Sequence, residues 1–271
     1  MSDRLVGITA KIDRADKHIR DFQGEWTGFA KRAYEIFSEE DGDRRTFRVR
    51  IKEDPPPYLS TIVGDAVVNL RTALDYLIYQ LLDANSQPIT RYHYFPIAEN
   101  AEVFSKSYLR KIKGVGQTAE QLIASLKPYK GGNDLFFYLN ELCRKDKHRL
   151  LVMLVINPSA LALNLGDMVK NMPPIHGTRP GYSREMDEMA ATLGGRFLVI
   201  HGGKTPCLAL KDGDIVFSEP LDLEHYQRTG FGFEIAFAQG EVLECQPVST
   251  MLRQSLDLVR DTVQSFRPLL T

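Results

Sequence analysis

The chain has 271 residues, with 34 Lys and Arg against 35 Asp and Glu, a formal net charge of -1. Its apolar fraction of 43% and charged fraction of 25% belong to a folded globular protein, which excludes a disordered chain and a uniformly basic nucleic-acid coat. At roughly 150 residues per domain, this length allows one large domain or two small ones. The longest uninterrupted apolar run, Leu150 to Ile156, is far shorter than the roughly 20 residues of a membrane span, and the N-terminus carries no apolar signal segment. No membrane association is expected. Cys143, Cys207 and Cys245 are scattered, with no paired spacing, so neither a disulfide framework nor a thiolate zinc site is expected; a reducing cytoplasm fits.

In chain order, the first element is a long helix. Leu5, Ile8, Ile12, Ala15, Ile19, Phe22, Trp26, Phe29, Ala33 and Ile36 recur in steps of three and four, a 3.5-residue period over four heptads. The seam packs within the chain or serves as a dimer interface. The polar run from Glu39 to Asp43 ends the helix. Arg44 to Asp54 then alternates, with Phe47, Val49 and Ile51 on one side and Arg48, Arg50 and Lys52 on the other, which predicts a strand with a basic face. A second helix is expected from about Leu59 to Leu82, with Val63, Val67, Leu70, Leu74, Leu77, Ile78 and Leu81 as its apolar stripe. Tyr92 to Ala98 reads as extended and aromatic. Short helices are expected over 102–112 and 118–126.

A further helix is expected from Asn133, as N-cap, to Ile156, with Leu135, Leu139, Leu142, Leu150 and Met153 buried and Asp146 among them. Residues 157–195 read as a long connector with a short helix at Arg184 to Leu193. Short strands follow over 196–201, 207–210, 215–219, 231–238 and 241–246, with Lys211–Asp214 and Gln239–Gly240 as hairpin turns. A closing helix is expected from near Ser249 to before Pro268, and the two terminal helices have matching seams. The fold class is α+β. A helical bundle spans 1–156, a connector 157–195, an antiparallel meander 196–247, and a final helix over 248–271 packs back on the bundle.

Three constellations carry candidate chemistry. Arg71 and Asp75, four residues apart beside the apolar stripe, can pair, with Asn69 on the polar side. Asp146 needs a buried partner, and Arg71 or Asn69 is the expected one; these four form a structural polar network. Around it, Arg144, Lys145, Lys147, His148 and Arg149 form a basic cluster. With Arg48, Arg50, Lys52, Arg110, Lys111 and Lys113 it offers an anion-binding surface; between Leu109 and Arg149 alone, nine Lys and Arg face four Asp and Glu. The third is Lys111 to Leu126, where Gly114-Val115-Gly116 resembles a helix-hairpin-helix phosphate loop or makes a simple interhelix turn. No HExxH, GxSxG, P-loop or GxGxxG occurs, none of the six histidines has metal-ligand spacing, and no cofactor or metal is implied.

Asn69-Leu70-Arg71-Thr72-Ala73-Leu74-Asp75, Phe95-Pro96-Ile97, Lys127-Pro128-Tyr129 and Asp146-Lys147-His148-Arg149 together resemble a group of bacterial and phage-encoded proteins of unassigned function. Those proteins carry NLRxALD, FPI, QPY and DKHR segments; Lys127 replaces the Gln of the third. More distantly, the paired helices resemble the HEPN superfamily of helical bundles, which implies a metal-independent ribonuclease or an RNA- or nucleotide-binding protein with a role in phage defence. That resemblance makes His148 the proton-transfer group and Arg144 or Arg149 the phosphate ligand. The family signature places four to six residues between its Arg and His. Arg144 and His148 have three between them, and Arg196 and His201 have four but lie in an expected strand. The alternative function is a non-catalytic scaffold that dimerises through the N-terminal heptads.

Overall fold

In the computed structural model, helix α1 runs Val6–Ala33 and then turns directly into strand β1, Tyr34–Asp41. The helix expected to reach Ile36 therefore stops three residues earlier. The competing interaction is a hairpin. β1 pairs antiparallel with β2, Arg44–Ile51, around the two-residue turn Gly42-Asp43, in which Gly42 takes φ +60°. The acids of β1 meet the bases of β2 and Lys52 just after it: Glu35 with Lys52 at 3.1 Å, Glu39 with Arg48 at 3.1 Å, and Glu40 with Arg45 at 3.0 Å. The Glu–Glu–Asp run expected to end the helix is one half of this charge-matched ribbon.

The structure describes residues 4–151, 153–156, 160–164, 197–201, 209–220, 230–231, 233–238, 241–244 and 246–270. Within these, α2 is Tyr58–Ala84, α3 Ala101–Lys111, α4 Gln117–Ser125 and α5 Asp134–Asp146. Strands β3 Met153–Ile156, β4 Ala160–Asn164, β5 Phe197–His201, β6 Ile215–Pro220, β7 Gly230–Phe231 and β8 Glu234–Phe237 precede the last helix, α6, Val248–Phe266. The α+β class holds, and no described helix is long and apolar enough to cross a membrane.

Chain contacts divide the molecule into two units built from interleaved segments, not the consecutive blocks expected from the sequence. The first comprises Met1–Gly28, Pro56–Met153 and Ala236–Thr271. It is the helical bundle. α1 runs antiparallel to α2: Tyr58 Oη donates to Glu25 Oε2 at 2.9 Å, Lys11 Nζ to Asn69 Oδ1 at 3.2 Å, and Arg4 Nε to Asp83 Oδ2 at 3.0 Å. α6 is also antiparallel to α1, joined through Arg260 to Asp16 at 3.1 Å and Arg253 to Gln23 at 3.4 Å. α2 packs on α5 and α6 as well.

The α1 seam up to Trp26 is closed inside this unit: Ile8, Ala15, Ile19 and Phe22 are fully buried, and Ile12 and Trp26 are nearly so. Each buried Ile or Phe side chain contributes about 1.5–3 kcal/mol, which an unpaired helix face would forgo. The heptad seam as far as Trp26 is thus buried within the chain. α6 starts at Val248 after Pro247, not at a Ser249 cap, and buries Val248, Met251, Leu252, Leu256, Val259, Val263 and Phe266.

The second unit comprises Phe29–Pro55 and Leu154–Ile235. Here β2 also pairs antiparallel with β6, giving the order β1-β2-β6, and β4 pairs with β5 and β7 in a second antiparallel sheet. The late strands therefore do not form a meander of their own. The Lys211–Asp214 turn forms as expected, with Gly213 at φ +83°, and it also bonds the early strand: Gly213 N donates to Val49 O at 2.8 Å and Val49 N to Asp214 O at 3.0 Å.

α5 ends at Asp146, ten residues before the expected Ile156, and the Leu150–Ile156 run passes into strand β3, which pairs with β8. A short apolar run fits either a buried helix or a strand, and its Val and Ile content favours the strand. The α5 stripe shifts accordingly, to Phe136, Leu139, Leu142 and Cys143, while Leu150 is 48% exposed. Of the expected strand over 241–246, residues 241–243 bend and turn, and Glu244 makes an isolated bridge to Phe237. The Arg184–Leu193 helix, the Gln239–Gly240 turn, Arg196 and Cys207 lie outside the described residues.

Candidate phosphate-binding cleft

The α5 cluster is bound up in ion pairs. Arg144 lies 3.2 Å through Nε from both oxygens of Glu141. Lys145 Nζ donates to Glu241 Oε2 at 2.9 Å and Arg149 Nη2 to Oε1 at 3.0 Å, around a Glu241 side chain only 2% exposed. Two of the five cluster bases thus hold one buried carboxylate on the turn before α6. Lys147 and His148 are exposed just beyond the helix end. Cys143 is buried, and burial raises its thiol pKa above the usual value, which keeps the thiol protonated.

Asp146 does not pair with Arg71 or Asn69. Its carboxyl group rests on Gly64 of α2, where a side chain would overlap it. Burial, and then the Asp65 charge, raises its pKa above the usual carboxylate range. Asn69 is turned to Lys11 and to the Asp65 carbonyl. Arg48 and Arg50 lie in the strand unit, matched to Glu39 and Glu35, and Arg48 Nη1 also donates to Gly213 O at 2.8 Å. The expected anion-binding set is therefore split between the two units.

Arg71 and Asp75 pair as expected, at 2.5 Å, and their other bonds give the pair its purpose. Arg71, 9% exposed, also donates through Nε to Asn140 Oδ1 at 3.1 Å and through Nη2 to Phe95 O at 3.0 Å. Asp75 Oδ1 accepts from Phe95 N at 2.9 Å. Both polar groups of Phe95 are thus fixed to α2. Tyr94 N donates to Lys111 O at 3.3 Å, and Ala98 N to Pro128 O at 3.0 Å. These bonds draw the extended segment after α2 across the end of α3.

The result is a cleft of about 770 Å³ lined by Gln87, Pro88, Thr90, Tyr92, His93, Arg110 and Lys113. Tyr92 is 60% exposed. Arg91 stacks over its ring, with Cζ 4.9 Å from the centroid, and donates through Nη2 to the Tyr92 hydroxyl at 2.7 Å. Thr90 N donates to His93 Nδ1 at 3.1 Å, which places the proton of the neutral ring on Nε2. Lys111 lies alongside, its Nζ 5.0 Å from the Tyr94 centroid and 3.5 Å from Ile97 O; burial, then Arg71 and Arg110, lower its pKa.

Among the described residues, Arg91, Arg110 and Lys113 have no carboxylate partner. Of the cations expected from the sequence, Arg110 and Lys113 line the cleft and Lys111 lies beside it. Arg91, Tyr92 and His93 were not expected. The alternation Arg91-Tyr92-His93-Tyr94, bases interleaved with exposed aromatics, was the available sign.

The glycine loop Gly114-Val115-Gly116 is an interhelix turn. Its glycines take φ +102° and +90°, Ile112, Val115, Ala119 and Ile123 are buried, and Asn85 Nδ2 holds the Val115 carbonyl at 3.0 Å. Among the described residues there is no group of three or more His, Cys, Asp or Glu placed to hold a metal ion. The chain matches no protein-family model, no curated protein and no solved structure.

Proposed function

We propose that this protein binds the phosphates of RNA or of a nucleotide in the cleft between the end of α2 and the end of α3. The observation that carries this reading is that Arg110 and Lys113, which have no acidic partner among the described residues, line the cleft together with an exposed Tyr92 whose ring Arg91 covers. Cations matched to carboxylates, as on β2, have little left to offer an anion. Unmatched cations in a concave site retain their charge for a ligand and raise its local concentration. The Arg71–Asp75 pair serves as the positioning element, because it fixes the segment that carries Arg91, Tyr92 and His93. Arg144 and Arg149 are engaged by Glu141 and Glu241, so binding, not cleavage, is the function these positions support best.

The test is a fluorescence anisotropy titration of a labelled uridylate decamer. Reversing both cleft charges, Arg110→Glu with Lys113→Glu, is expected to weaken binding by at least about tenfold, since phosphate contacts dominate such affinities. Arg144→Gln with Lys147→Gln on α5 is expected to leave it unchanged. Equal affinity for the wild type and the cleft variant contradicts the reading.

A further inference from the structure

We propose that the cleft takes an unpaired nucleotide, with its base stacked on Tyr92 and its phosphate on Arg110 and Lys113. This rests on the phosphate-binding reading of the cleft and adds the part of the ligand that simple charge does not select.

The Tyr92 ring is held in place before any ligand arrives. Arg91 covers one side, and its bond to the hydroxyl fixes the tilt. Tyr92 N donates to Thr90 Oγ1 at 3.4 Å, and Thr90 in turn bonds His93 through its backbone N–H, which sets the conformation of the turn. Two residues on, the chain is clamped at Phe95 to both Arg71 and Asp75. An aromatic ring so restrained and still 60% exposed leaves much of its surface in water, which is unfavourable unless a planar partner covers it.

The cations that share the cleft place an anion beside that ring. A ligand with both a flat apolar face and an attached phosphate satisfies the two together, and a nucleotide is that chemical class. In a duplex the bases are stacked on one another and their faces are closed to a side chain, so the ring selects single strands. The interleaving of Arg91, Tyr92, Lys111 and Tyr94 is the pattern of a single-strand platform, in which cations track the backbone and rings take the bases.

The experiment uses the full chain and three labelled probes: an oligothymidylate decamer, an abasic decamer with the same phosphates, and a blunt duplex of the same length. The single strand is expected to bind about tenfold or more tighter than the abasic probe, and Tyr92→Leu is expected to remove that difference. Tyr92→Trp is expected to keep it, which separates loss of the ring from loss of the fold. If wild type binds all three probes equally, stacking is overturned while phosphate binding stands. If it binds none of them, both readings fall. A Tyr92→Leu protein that still prefers the single strand also overturns the proposal.

Discussion

Replacing Gly64 with alanine sets two terms of known sign against each other. An alanine inside a helix is favoured over glycine by about 1 kcal/mol. Gly64 lies inside α2, but its missing side chain is where the Asp146 carboxyl group sits. An added Cβ would be 2.5 Å from Asp146 Cγ and 2.7 Å from Oδ2, with Oδ1 closer still. Ordinary contact requires roughly an ångström more, and α5 cannot retreat freely because Phe136, Leu139, Leu142 and Cys143 are packed beneath it. The Asp146 carboxyl is the end of a side chain and can swing away, so the cost lies toward the low end of the about 1–3 kcal/mol of overpacking, and Gly64→Ala alone is expected to change stability by less than about 0.5 kcal/mol. In an Asp146→Ala background the obstacle is gone and the helix preference remains, so the same change is expected to stabilise by up to about 1 kcal/mol. The two sites should therefore couple by about 1 kcal/mol in a double-mutant cycle. Urea unfolding of the four proteins gives this directly, provided the denaturant slopes agree. Additive effects would refute the contact between α2 and α5 from which the magnitude is drawn.

Three further outcomes follow from the bundle's polar contacts. Glu241→Gln leaves Lys145 and Arg149 without their shared carboxylate; because Arg149 is half-exposed, the loss is set at the low end for a buried pair, about 3 kcal/mol, read from the urea midpoint. Arg71→Met removes donors to Asp75, Asn140 and Phe95 at a 9% exposed position and is expected to cost about 3 kcal/mol, with a matching drop in the thermal midpoint. Asp146→Asn tests the raised carboxyl pKa. The folded pKa lies above the unfolded one, so the unfolded chain ionises first and stability falls as pH rises from the ordinary Asp range through the folded pKa. The Asn variant is expected to be more stable than wild type at neutral pH, and the gain is expected to shrink as pH falls toward about 4. A gain that is constant with pH would contradict it.

How much of this was legible depended on whether a residue's role was local. α2 and α6 follow directly from apolar spacing, because each buries one stripe over many turns. The Arg71–Asp75 pair was legible for the same reason, as two side chains one turn apart. The end of α1 was not. Ala33 and Ile36 continue the heptad by chance, and only the charge match with a strand formed later in the chain shows why the helix stops. The end of α5 was hidden by the helix–strand ambiguity of Leu150–Ile156, and the misplaced stripe then gave Asp146 the wrong partner. The cleft was half legible. The charge excess after Leu109 pointed to Arg110, Lys111 and Lys113, but Arg91, Tyr92 and His93 reach them only through the Phe95 clamp and the Tyr94–Lys111 bond, pairings between separate segments. Charge density also overstated α5, because Glu241, distant in sequence, takes up two of its cations.

The central claim is that Arg110 and Lys113 contact phosphate, and the salt dependence of binding tests it most directly. For single strands, the logarithm of the binding constant falls with the logarithm of salt concentration with a slope of about -0.7 per phosphate neutralised. Arg110→Gln with Lys113→Gln removes two such contacts, so the account predicts a slope shallower by about 1.4 than that of wild type. A slope unchanged in this variant would contradict it and would place phosphate contact elsewhere on the protein.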